Sequence, residues 1–165
     1  MIISTLTTEK KIVVGIGEMK IISKPGHVVC YGLGSCVAVF LFSSASPVCA
    51  AAHVMLPGRC ANEGVESMSY SYQAIKRMCY AMRQAGCHYQ NIQAKLAGGA
   101  NLVPGMQMNI GQENINSVEY ELARYNIKIS GRDTGGTISR TVRFNTRTKE
   151  VECHSAFGPN YCIKF

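Results

Sequence analysis

The chain has 165 residues, 47% hydrophobic and 16% charged, with a formal net charge of +7 and eight cysteines. That length suits one domain over residues 1–165 with a sizeable core, and no apolar run approaches the roughly 18 residues of a membrane helix. The opening Met1-Ile2-Ile3-Ser4-Thr5-Leu6 lacks a basic leader segment, so a cytoplasmic protein with reduced thiols is expected rather than a secreted disulfide framework.

No Cys-x-x-Cys pair occurs, so no metal site is expected. Arg132, Arg140, Arg143, Arg147 and Lys149 make the densest basic patch. Nucleic acid is the generic partner of such charge. Aromatic residues are not interleaved with it, however, and an acidic protein surface fits equally well.

Lys11 to Ile16 reads as a short apolar strand. Gly15-Ile16-Gly17 lacks the third glycine of a dinucleotide loop, with Lys20 in its place, and Met19 to Ile22 continues as strand, so a Rossmann reading is rejected. Val28-Val29 begins a strand leading to the central stretch. There, Cys36 to Phe42 and Val48 to Leu56 flank Ser43-Ser44-Ala45-Ser46-Pro47, the pattern of a buried β-hairpin with a roughly five-residue loop. Val37, Val39 and Leu41 line one face and Ala38, Phe40 and Cys49 the other. A strand apolar on both faces is covered on both sides.

Ser71, Ala74, Ile75, Met78, Ala81, Met82 and Ala85 recur at three- and four-residue steps, a helix ended by Gly86 in which the methionines pack the core. Ile92 to Leu96 is a strand running into Gly98-Gly99. A second helix carries the stripe Ile115, Val118, Leu122 and Tyr125. Ile127 to Ser130 is a further strand, Asp133-Thr134-Gly135-Gly136 a polar turn, and Thr141–Phe144 with Val151–His154 a closing hairpin. The tail with Phe157-Gly158-Pro159 is weakly informative. At least six strands and two amphipathic helices predict an α+β fold, with a layered β-sandwich core flanked by helices.

A hairpin loop centred between Ser44 and Ala45 would set Cys36 directly opposite His53, with Cβ atoms about 4.5–5.5 Å apart. A thiol beside an imidazole is the minimum apparatus for nucleophilic acyl chemistry, and such a neighbour is expected to hold the thiolate below the ordinary thiol range. Gly32 and Gly34 precede Ser35-Cys36, where free backbone N–H groups at a strand entrance suit a developing oxyanion. The same spacing is also met by a buried small cysteine and a satisfied core histidine, and spacing alone leaves both readings standing.

Gly32-x-Gly34-Ser35-Cys36 followed by Ala52-His53-x-Met55-Leu56-Pro57 resembles the signature of the CheD family, chemoreceptor glutamine deamidases of bacterial and archaeal chemotaxis. Gly15-Ile16-Gly17-Glu18 upstream, and Ala97-Gly98-Gly99-Ala100, Asn109-Ile110-Gly111, Asp133-Thr134-Gly135-Gly136 and Arg140 downstream, continue the likeness in order. Residues 1–10 and the tail after about Phe144 fall outside it.

The resemblance implies a layered fold shared with cysteine deamidase toxins, Cys36 as nucleophile and His53 as base. Cys30 stands at the position of the family's Thr, the third member of its catalytic set. Backbone amides around Gly34 and Ser35 would hold the oxyanion, and Gly32, Gly98 and Gly99 would wall the substrate cleft. The implied reaction is hydrolytic deamidation of glutamine side chains on the helical cytoplasmic domain of chemoreceptors through a Cys thioester. Receptor methyl-ester hydrolysis uses the same intermediate. No cofactor or metal, no nucleic acid and no membrane insertion are implied. The other reading the resemblance allows is a mainly regulatory module binding CheC, the phosphatase of the response regulator CheY.

Overall fold

A computed structural model describes residues 10–62, 67–105, 107–156 and 162–165. The opening stretch 1–6 and Phe157-Gly158-Pro159, both read above, lie outside the described residues. The elements in order are β1 (Lys10–Val13), β2 (Met19–Ile22), β3 (Gly26–Leu33), β4 (Val37–Ser43), β5 (Ser46–Val54), α1 (Ser71–Gln84), β6 (Ile92–Gly98), α2 (Ile110–Arg124), β7 (Lys128–Thr134), β8 (Arg140–Asn145), β9 (Val151–Ser155) and β10 (Cys162–Lys164). They form an α+β fold with two mixed sheets. One has the order β1-β3-β8-β9-β10 and the other β2-β5-β4-β6-β7. The pairs β1–β3 and β6–β7 are parallel.

The alternation in β4 divides the core. Val37, Val39 and Leu41 join Ile75, Met78 and Met82 of α1 and Ile115, Val118 and Leu122 of α2 in one apolar cluster. Ala38, Phe40 and Phe42 join Val28 and Cys30 of β3 and Val142 and Phe144 of β8 in the other. The Phe40 and Phe144 rings stack there with centroids 4.9 Å apart. Both helices pack against the second sheet, while the first sheet's other face presents the exposed Arg143 and His154. Among the described residues no helix is long and apolar enough to cross a membrane.

The helix α1 stops where its sequence says. Gly86 takes φ +86°, its N–H donates to Arg83 O at 2.9 Å and the Cys87 N–H to Met82 O at 3.0 Å. That 5→2 and 6→1 pair is a Schellman ending, which glycine adopts without a Cβ penalty.

The hairpin register differs from the expected one. The loop is the two-residue turn Ser44-Ala45 between paired Ser43 and Ser46, and a bulge then sets Phe42 opposite Cys49. Pro47 and Val48 are thus extra on β5, at a place where proline has no N–H to give a ladder. The bulge moves every later pair by two, so Ala38 and not Cys36 faces His53. Because the shift is even and side chains alternate, Cys36 still shares a face with His53, now as a diagonal neighbour.

Candidate functional site

Cys36 ends a short irregular segment between β3 and β4. The carbonyls of that segment are held from outside. Gly34 O accepts from Ala100 N at 2.8 Å and Cys36 O from Gly99 N at 2.7 Å, while Ser35 O accepts from Asn114 Nδ2 at 2.9 Å. Among the described residues neither the Ser35 nor the Cys36 N–H donates to another protein group. The Cys36 N–H instead favours its own thiolate, but burial outweighs it and pushes the thiol up. Burial thus works against the low thiol pKa expected beside an imidazole.

His53 is 1% exposed and is gripped by the segment joining β1 to β2. Its N–H donates to Glu18 O at 3.0 Å and its carbonyl accepts from Gly17 N at 2.9 Å. The ring Nδ1 lies 3.4 Å from Val14 O. A carbonyl only accepts, so this contact places the proton on Nδ1 and leaves Nε2 as the basic nitrogen. Nε2 is buried and has no hydrogen-bond partner among the described residues. Burial lowers the imidazole pKa more than the Val14 carbonyl raises it, so the ring is neutral around pH 7. Among the described residues no hydrogen bond joins Cys36 to His53.

Cys30 is fully buried in β3 opposite Val142, and burial alone pushes its thiol up to about 12. The group that reaches the His53 ring is the Val14 carbonyl, which side-chain motifs cannot reveal. Gly32 sits at the register break between Cys30 and Leu33, and Leu102 covers Gly34.

Gly98 takes φ +107°, and a Cβ on it would lie 2.3 Å from Cys36 O. Glycine is thus required by conformation and by space at once. The loop 98–101 is braced in turn, since Gly98 O accepts from Gly135 N and Gly136 O from Asn101 N, both at 2.8 Å. Arg140 holds that neighbouring turn through Asp133 Oδ2 and Gly135 O, each at 2.9 Å.

Asn114 is fully buried in α2. In the sequence it stands three residues after the Asn109-Ile110-Gly111 motif, an amide on the apolar face beside Ile115 and Val118.

Fold and site together define a class: an α+β protein with a buried thiol and a neutral, tautomer-fixed imidazole on one face at the open end of a central hairpin. The chain belongs to the CheD family. The family model described as CheD chemotactic sensory transduction matches residues 55–155, which carries the likeness past Phe144. The chemoreceptor glutamine deamidase CheD of Thermotoga maritima is 38% identical over 86% of this chain and 89% of its own length. A probable chemoreceptor glutamine deamidase CheD of Geobacillus kaustophilus is 32% identical over 92% and 96%. Another, from Methanosarcina mazei, is 39% identical over 84% of this chain and 62% of its own.

Proposed function

We propose that this chain deamidates glutamine side chains on chemoreceptors, the reaction for which its relatives are named. The observation that carries this reading is the setting of His53: Nδ1 lies against Val14 O, and Nε2 is buried on the face it shares with Cys36 with no hydrogen-bond partner among the described residues.

With both groups neutral in the free protein, the histidine acts as general base during attack. Nε2 takes the thiol proton as Sγ bonds to the amide carbon, and the oxyanion is held by the Ser35 and Cys36 N–H groups. Collapse breaks the C–N bond, and the imidazolium returns its proton to the leaving ammonia. Water then adds to the thioester with His53 again as base, and Sγ leaves as the restored thiol. The net change is glutamine plus water to glutamate and ammonium. We read the fold accordingly as a layered cysteine-hydrolase scaffold in a single domain, with Gly32, Gly98 and Gly99 shaping the cleft and Cys30 at its floor. The receptor's helical cytoplasmic region is the substrate.

Mass spectrometry of a receptor signalling fragment incubated with wild-type and Cys36→Ala protein tests this. Conversion of specific glutamines to glutamate by the wild type alone is the expected result. Modification that persists in Cys36→Ala would refute the thioester route. No conversion by either protein, together with tight binding of CheC, would favour the regulatory module, a reading that rests on Cys30 standing at the family's Thr position.

A further inference from the structure

The last ladder pair of the central hairpin at its open end is Val37 with Val54. Beyond it the strands part, because the Met55 N–H turns away to Ser69 O at 2.9 Å. A side chain from α2 fills the gap. Asn114 Nδ2 donates to Ser35 O and to Met55 O, each at 2.9 Å. Both acceptors are carbonyls, so the amide orientation is determined by its partners rather than chosen.

One planar NH2 group spends both its hydrogens on two fixed directions. It therefore fixes the separation of the residue before Cys36 and the residue two after His53. The helix that carries it is seated equally closely. A Cβ on Gly111 would lie 2.4 Å from Gly99 O, and Gly99 N is the donor to Cys36 O.

Asn114 Oδ1 is buried and has no hydrogen-bond partner among the described residues. An amide half-satisfied in an apolar face is a poor way to stabilise a helix against a sheet, since an apolar side chain of the same size would leave nothing unpaired. Its geometry is what an apolar residue cannot supply.

We propose that Asn114 is a positioning residue for the reaction, an amide rung that stands in for the missing ladder pair and sets Cys36 against His53. This rests on the Cys36–His53 reading above.

Asn114→Leu keeps the branching and heavy-atom count, Asn114→Asp keeps the planar shape, and each removes both donors. Ser117→Ala is the control. It sits one turn along α2 and gives up bonds to Gly58 N at 2.8 Å and Ser71 Oγ at 2.6 Å, neither of them to Ser35 or Met55. Deamidation of a receptor cytoplasmic fragment is measured for each, with Tm alongside.

Asn114→Leu is expected to lower kcat by roughly 10- to 100-fold, the cost of a misplacement on the order of 1 Å, with KM little changed. In a His53→Ala background the same substitution is expected to cost less than about twofold more, because residues acting as a unit are not additive. Ser117→Ala is expected to lower Tm while keeping kcat. A folded Asn114→Leu with wild-type kcat would overturn the proposal, as would losses that multiply with His53→Ala. If Asn114→Leu does not fold, Asn114→Asp is judged on the same two outcomes. Activity that survives in Cys36→Ala would instead mark failure of the nucleophile assignment.

Discussion

His53 meets two opposing influences: burial disfavours its charge, and the Val14 carbonyl favours it. Burial is the larger, which fixes the sign of the pH dependence. The folded-state pKa lies below the ordinary value of about 6.5, so the stability tied to neutral His53 is fully present above that value. It is lost as pH falls through it, because the unfolded chain then binds a proton the native state refuses. Urea denaturation at neutral and at mildly acidic pH checks this. The wild type should lose more stability on acidification than His53→Gln does. At Cys36 burial pushes the other way, so the alkylation midpoint of the free protein is expected above the ordinary thiol value of about 8.5. His53→Ala should leave that midpoint in place while cutting deamidation by roughly 10²–10⁴-fold, the usual worth of a general base. A midpoint that rises in His53→Ala would show a preformed ion pair instead.

Among the elements, the hairpin β4–β5 and the loop after β6 decide the site together. The loop reaches the nucleophile segment by backbone alone, through Gly99 N to Cys36 O and Ala100 N to Gly34 O. It can do so only because position 98 has no side chain. In Gly98→Ala a methyl group would meet Cys36 O at 2.3 Å in a backbone conformation of φ +107°, so both the strand end and Cys36 must shift. Loss of stability of about 1–3 kcal/mol is expected, with loss of deamidation well beyond what the unfolded fraction explains. Thermal denaturation and kinetics on the same preparation separate the two effects. Full activity in a destabilised Gly98→Ala would show that Cys36 tolerates displacement.

For the molecule as a whole, apolar packing and a buried ion pair join the two sheets. Arg140 on β8, in the first sheet, is bound to Asp133 on β7, in the second, and the two side chains are 6% and 9% exposed. Removing Arg140 takes from the buried Asp133 carboxylate its guanidinium counter-charge, a loss that the remaining polar contacts do not repay in kind. Arg140→Ala should therefore cost about 3–5 kcal/mol, and the double variant with Asp133→Ala less than Arg140→Ala alone. Urea midpoints of the three proteins check the order. Equal losses in the single and double variants would mean that packing, not charge, holds this corner.

What the sequence determined by itself was whatever depends on neighbours a few residues apart. The two faces of β4, the buried stripe of α1 with its Gly86 stop, and the closing hairpin β8–β9 follow from periods of two and 3.6 and from local turn chemistry. The common face of Cys36 and His53 was legible for the same reason, and the bulge at Pro47-Val48 spared it only because it moved the register by two. The exact pairing was beyond reach, since a symmetric loop and a bulged one share the same apolar pattern. Only the tertiary structure decided the partners of the site. The Val14 carbonyl comes to His53 across 39 residues of chain and Asn114 to Ser35 across 79. It also decided the ionisation, which turns on how much water the folded chain removes from a thiol and an imidazole. Backbone acceptors and desolvation carry no residue code, so they exist only once distant segments have packed.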